Sequence, residues 1–243
     1  MINIYAIKKQ QFIDESRYNT LLNLVSAEKK KKIDRYIKKE EAYRSLLGDV
    51  LIRSVICKKY KIFNQDIKYD YNEYGKPFWR GSNHFFFNIS HSGDWIVCIV
   101  DKFPVGIDIE KICPINLEIA SHFFSDEEVE DLNTRSSVEK IDYFYDLWTL
   151  KESYIKAIGK GLSIPLNSFT INKNKKEGII VKQEGLYSSY FFTQYQIDSN
   201  YKLSVCTTSS KFPKKVIIKD ISDTIQDVLG VTIHAHQPNK CKR

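Results

Sequence analysis

The stretch HFFFNISHSGDWIVCIVDKFPVGIDIE, residues 84–110, decides the fold class of this 243-residue chain. Three strand-like runs follow one another in it: His84–Ile89, Trp95–Val100 and Val105–Glu110. The first two flank Ser90-His91-Ser92-Gly93-Asp94, whose small and polar residues suit a tight hairpin turn. Phe103-Pro104 precedes the third run. Adjacent strands leave no room for the helices that a parallel sheet needs between its members, so the pattern points to α+β layers.

Working outward, residues 2–7 read as a first strand, and Ser26 caps a helix through about Arg35. From about Glu40 to Tyr60 the residues Ala42, Leu46, Leu47, Val50, Leu51 and Val55 recur at the helical period, which predicts a helix with one buried face. Ile67–Tyr71 is a further short strand. Downstream, Ser125 and Glu128 have capping-box spacing, and a long helix is predicted over Ser137–Ile158, stopped by Gly159. Strand-like segments follow at Phe169–Asn172, Ile179–Lys182, Tyr190–Ile197 and Lys202–Cys206. Each half reads as a strand, helices, then consecutive strands. The expectation is therefore two similar α+β halves, 1–103 and 104–243, meeting near Pro104 although no sequence repeat is visible. The basic tail from about 234 to 243 is expected to be disordered.

A hydrophobic content of 42% and an aromatic content of 13% argue for a packed core and against disorder. No apolar run approaches the roughly 20 residues that span a bilayer. The N-terminal Met1–Ile7 alternates like a strand and does not read as a signal peptide. Cys57, Cys98, Cys113, Cys206 and Cys241 are scattered without zinc-like spacing, as expected of ordinary thiols in a reducing cytoplasm. The formal charge is +7, with a run at Lys29, Lys30, Lys31 and Lys32. That run is either a solvated helix face or a docking point for nucleic acid, an anionic cofactor or an acidic protein. Charge alone leaves these open.

In Val105-Gly106-Ile107-Asp108-Ile109-Glu110, strand alternation projects Asp108 and Glu110 to one side and the isoleucines to the other. Two carboxylates on one face repel unless a cation compensates, and magnesium is a natural candidate; a solvent-facing polar edge is the plain alternative. Ile141, Tyr145, Trp148 and Glu152 form one helical stripe, which puts Glu152 where an apolar residue belongs. Lys156, one turn on, could instead pair with it as an ordinary surface ion pair. His91, among exposed amides and hydroxyls, could hold a phosphate, and the turn Glu73-Tyr74-Gly75-Lys76-Pro77-Phe78 presents a lysine. Each signal alone is weak. Together they suit a phosphate-rich, magnesium-bound ligand.

The ordered set resembles the surfactin-synthetase-activating (Sfp-type) 4′-phosphopantetheinyl transferases. The matching segments are Arg44-Ser45-Leu46-Leu47-Gly48-Asp49, Glu73-Tyr74-Gly75-Lys76-Pro77, Asn88-Ile89-Ser90-His91-Ser92-Gly93, Gly106-Ile107-Asp108-Ile109-Glu110 and Trp148-Thr149-Leu150-Lys151-Glu152-Ser153-Tyr154-Ile155-Lys156, followed by Gly159-Lys160-Gly161-Leu162. The likeness covers about residues 1–210. It implies a pseudo-twofold monomer with coenzyme A in the cleft between the halves. By resemblance, Asp108, Glu110 and Glu152 hold Mg2+. Lys29, Lys32, Ser45 and His91 contact the nucleotide and its phosphates, the Glu73–Pro77 turn surrounds the adenine, and Ser90 lines the site. Phe123, Phe124 and Glu128 fall in the region near the carrier protein.

The reaction so implied moves the phosphopantetheine arm of coenzyme A to a serine of an apo peptidyl or acyl carrier protein, leaving 3′,5′-ADP. Glu152 removes the serine proton, directly or through a metal-bound water, and Lys156 steadies the transferring phosphoryl group. Nonribosomal peptide and antibiotic synthesis is the setting that fits, with no part for nucleic acid or membrane. The alternatives are a basic nucleic-acid-binding module and a magnesium-dependent phosphohydrolase. Neither accounts for all the matching segments in their order.

Overall fold

A computed structural model describes residues 1–10, 14–174, 178–182 and 190–234. The first half comprises β1 (Asn3–Lys8), α1 (Glu15–Asn23), α2 (Ala27–Ile33), α3 (Lys39–Tyr60), β2 (Tyr69–Tyr71), β3 (Pro77–Trp79), β4 (Phe86–Ser92) and β5 (Trp95–Asp101). The second opens with β6 (Val105–Lys111), α4 (Ala120–Phe123), α5 (Asp126–Thr134) and α6 (Ser137–Ile158). It continues with β7 (Thr170–Asn174), β8 (Gly178–Lys182), β9 (Phe191–Tyr195) and β10 (Tyr201–Thr207). Last come β11 (Ile217–Ile218) and α7 (Ile221–His234). Of the basic tail expected over about 234–243, His234 ends α7 and residues 235–243 lie outside the described residues.

Two sheets carry the architecture, in the orders β11-β1-β5-β4 and β6-β10-β9. All pairings within them are antiparallel except that of β11 with β1. Each sheet is backed by a 22-residue helix, α3 or α6. The chain is thus α+β with two similar halves. Between the sheets, Ile4, Ala6, Val97 and Ile99 form one cluster with Ile107, Ile109, Leu203 and Val205. Ile96, Cys98 and Val100 face the other way, into the α3 core. This explains why Trp95–Val100 is an unbroken apolar run: both faces of β5 are covered.

Three expectations need correction. The hairpin turn expected over residues 90–94 shrinks, because β4 stays paired with β5 through Ser92 opposite Trp95, and only Gly93 and Asp94 turn. Gly93 supplies the positive φ of 54°. The helix expected to bury one face is instead buried on every side over its middle, from Ser45 through Cys57. Its outer side is covered by α7, whose Ile221, Ile225 and Val228 join the α3 core, while Ile217 and Ile218 pair in parallel with Tyr5 and Ala6. The last described segment, expected with the second half, therefore packs against the first.

The junction between β6 and α6 is unusually close. A Cβ on Gly106 would lie 1.9 Å from the Ser153 carbonyl oxygen and 2.5 Å from the Ala157 nitrogen. Only glycine lets the strand touch the helix backbone there, and that contact brings the acids of β6 beside the last turns of α6.

The capping box at Ser125 and Glu128 forms as expected, with the Ser125 N–H donating to Glu128 Oε2 at 2.8 Å. Glu128 does more than cap. It is 2% exposed and accepts from Lys151 Nζ at 2.7 and 2.5 Å and from the Ile171 N–H at 2.7 Å. Burial pushes the Lys151 ammonium down to about 8, with Glu128 opposing. Among the described residues Glu127, its neighbour, makes only an exposed pair with Lys182 at 3.2 Å. Removing one partner of a buried pair strands the other. Glu128→Ala should therefore cost about 3–5 kcal/mol of unfolding free energy. Glu127→Ala should cost less than about 1 kcal/mol. Urea unfolding of the two variants checks this contrast.

Candidate active site at the junction of the halves

Strand β4 meets β6 without a backbone ladder. Asn88 Oδ1, Ser90 Oγ and Ser92 Oγ accept instead from the N–H groups of Ile107 (2.9 Å), Ile109 (3.4 Å) and Lys111 (3.1 Å). The same two serines donate onward, Ser90 to Asp108 Oδ1 at 2.9 Å and Ser92 to Glu110 Oε2 at 2.7 Å. Period-two geometry makes this possible, since residues 88, 90 and 92 share one face of β4. From α6, Lys156 Nζ reaches Asp108 Oδ1 at 2.5 Å and Ser90 Oγ at 3.2 Å. Lys156 is thus committed to Asp108 and not to Glu152, the ion pair that helical spacing allowed.

The electrostatics are adverse to three acids. Burial pushes the Asp108 carboxyl up, with Lys156 opposing. Glu110 is pushed up to about 7 by burial and by Asp108, and Glu152 is raised mainly by burial. Burial disfavours the Lys156 ammonium, yet Asp108 and the glutamates outweigh it and hold its pKa above the ordinary lysine value. Asp108 is 2% exposed, and its Oδ2 is buried with no hydrogen-bond partner. A divalent cation would satisfy that orphaned oxygen and relieve the mutual repulsion. Among the described residues, no three His, Cys, Asp or Glu side chains stand close enough to close around a metal by themselves.

On the opposite face of β4 lies a cavity of about 730 Å³, between α2, α3 and the β2–β3 hairpin. Lys29, Lys32, Lys68, Arg53, Arg80 and His91 bring cations or a histidine to it. Lys29 Nζ donates to Ser45 Oγ at 2.8 Å, and Lys32 Nζ donates to Tyr71 Oη at 3.0 Å. Burial pushes the His91 imidazole down, with Glu41 opposing. The structure therefore gathers Lys29, Lys32, Ser45, Gly75, Pro77 and His91 around one cavity. It places Ser90 on the other face, with the acids.

Several residues sit elsewhere. Glu73 and Tyr74 are exposed at the tip of the β2–β3 turn and do not line the cavity. The Lys76 side chain runs away from it, into the end of α6. Phe124 and Glu128 are each 2% exposed, so of the three residues placed near a carrier only Phe123, at 39%, offers a surface. The stripe ending at Glu152 follows the edge of the buried face of α6; Ile141 and Trp148 are half-buried, and the deepest charged group there is Lys151, fully buried. Sequence reasoning missed Asp49, Arg53 and Tyr69 as cavity residues. A signal was present: Ser45, Asp49 and Arg53 repeat every four residues, a polar stripe on an otherwise apolar helix.

A sequence profile of the 4′-phosphopantetheinyl transferase superfamily matches residues 104–206, and one described as 4′-phosphopantetheinyl transferase, N-terminal, matches 14–102. The 4′-phosphopantetheinyl transferase Sfp of Bacillus subtilis (strain 168) is 41% identical over 215 residues, 88% of this chain and 96% of that protein. The 4′-phosphopantetheinyl transferase gsp of Aneurinibacillus migulanus is 42% identical over 219 residues, 90% and 91% of the two chains. The holo-(acyl-carrier-protein) synthase from Bacillus anthracis str. Ames, solved in complex with CoA (3′,5′-ADP), aligns with 43% of this chain and 94% of that one, at 13% identity and a TM-score of 0.37. With full-length relatives at about two residues in five identical, the chain belongs to the 4′-phosphopantetheinyl transferase superfamily.

Proposed function

We propose that the chain transfers the 4′-phosphopantetheine arm of coenzyme A to a serine hydroxyl of an apo peptidyl or acyl carrier protein. The observation that carries this reading is the two-sided use of β4. His91 faces a cation-lined cavity of nucleotide size, while Ser90 and Ser92 on the other face fix two acids with an orphaned carboxylate oxygen between the halves. The family membership is the independent support.

Lys29, Lys32, Ser45 and His91 would hold the phosphates of the nucleotide. Asp108, Glu110 and Glu152 would hold Mg2+, which neutralises charge on the pyrophosphate and orients it. Lys156, kept charged by Asp108, would steady the phosphoryl group in flight. Glu152, whose burial raises its basicity, would take the serine proton. The serine oxygen forms a bond to phosphorus, and the bond to 3′,5′-ADP breaks. Magnesium, the choice of carrier, a monomeric state and a cytoplasmic setting belong to this reading. The described cysteines are all free thiols, in keeping with a reducing compartment, and among the described residues no helix is long and apolar enough to cross a membrane.

The direct test is to mix protein, apo carrier, coenzyme A and magnesium, and to look for the pantetheine adduct by mass spectrometry. No adduct across several peptidyl and acyl carriers would sink the proposal, and chelation with EDTA should abolish the adduct. Asp108→Asn keeps the shape but loses the charge. It should cut transfer by about a hundredfold or more per folded molecule, and near-normal activity would remove the metal assignment. His91→Ala should weaken coenzyme A binding about tenfold, measured by calorimetry. A fall in kcat alone would contradict the phosphate contact.

A further inference from the structure

The turn between β2 and β3 contributes Gly75 and Pro77 to the cation-lined cavity. The residue between them does something else. Lys76 Nζ donates to three backbone carbonyls: Val105 at 3.0 Å, Lys156 at 2.5 Å and Ala157 at 3.4 Å. An ammonium has three protons, so all of its donors are spent, and none is left for a ligand phosphate. The Lys156 and Ala157 carbonyls belong to the last turn of α6, where oxygens lack intrahelical partners and the helix dipole is negative. That environment explains how a lysine sits here with no acid hydrogen-bonded to it, although burial pushes its pKa down to about 8.

A second tether runs beside the first. Asn72 Nδ2 donates to the Gly159 carbonyl at 2.7 Å, and Asn72 Oδ1 accepts from the N–H groups of Tyr74 (3.0 Å) and Lys76 (2.8 Å). Asn72 thereby shapes the turn and pins it to the residue that caps α6. Gly159 also leaves space for the lysine stem, since a Cβ there would lie 3.0 Å from Lys76 Cδ. Both tethers cross from the first half to the second.

The elements they hold carry the reacting groups. Lys156 gives its carbonyl to Lys76 and its ammonium to Asp108. Val105, the other carbonyl partner, starts the strand that bears Asp108 and Glu110. We propose that Lys76 is a positioning residue: its ammonium locks the cavity turn to the end of α6 and the start of β6, and so sets Lys156 and Asp108 against the phosphates of a nucleotide bound beyond β4. This rests on the transferase reading given above. Its role is therefore the opposite of a ligand contact, although its two chain neighbours line the cavity.

The prediction is a split between catalysis and binding. Lys76→Met keeps the stem and removes the donors. It should lower kcat for carrier modification at least about tenfold, because small misplacements of reacting groups are costly, while the affinity for 3′,5′-ADP by calorimetry stays within about threefold. Lys76→Arg keeps a charged donor and should recover part of the lost kcat. If Lys76→Met folds poorly, Lys76→Gln supplies a neutral donor, and the same split is read on the folded fraction found by thermal unfolding. Two results would overturn the proposal: unchanged kcat per folded molecule, or a large loss of 3′,5′-ADP affinity with kcat preserved. A wild-type protein that forms no adduct at all would instead strike the underlying function, which is visible before any variant is compared.

Discussion

Three side-chain oxygens on β4 take the hydrogen bonds that the carbonyls of a neighbouring strand would otherwise take from β6. Asn88, Ser90 and Ser92 serve the amides of Ile107, Ile109 and Lys111 at the seam between the two sheets. A strand left open there would have buried or half-buried N–H groups, each costing about 1–3 kcal/mol without a partner. Side chains that bond in this way give what a backbone ladder cannot. They close the edge of β6, and Ser90 and Ser92 still have protons to donate to Asp108 and Glu110. The seam that joins the halves is thereby also the frame of the acid cluster.

The alternation of β4 then separates two chemistries by a single residue step. His91 lies between Ser90 and Ser92 and faces the cation-lined cavity, while its neighbours face the acids. A rise of about 3.3 Å per residue fixes the spacing of the two regions through the covalent chain, and no domain motion is needed to set it. Gly106 supplies the complementary constraint from the other side. By admitting the backbone of α6 it places Lys156 within 2.5 Å of Asp108.

Much of this was legible because it is local. The capping box at Ser125, the helix over Ser137–Ile158 and its Gly159 stop each depend on residues within a few positions of one another, and the structure has them as read. What was not legible depends on distant partners. Ile221, Ile225 and Val228 carry a helical spacing, but only their docking on α3 makes α7 a part of the first half's core. Glu128 looked like a cap and proved to be the counterion of Lys151, a residue 23 positions away. The direction of Lys76 could not be read from a turn in which its two chain neighbours, Gly75 and Pro77, line the cavity. A side chain of that length is free to run either way until the end of α6 is in place.

Charge distribution gives the seam its sense. Lysines and arginines gather on the cavity side of β4, where Asp49 pairs with Arg53 and Asp70 with Arg80, and three acids with one lysine occupy the other. Like charges raise each other's energy most where water is excluded. The acids meet the harsher condition, since Asp108 is almost fully buried and one of its oxygens has no partner. Lys156 offsets part of this repulsion but cannot satisfy both carboxylate oxygens, because its contact is with Oδ1. A ligand that brought negative phosphates to the cavity lysines and a divalent cation to the acid side would meet complementary charge on both faces of one strand.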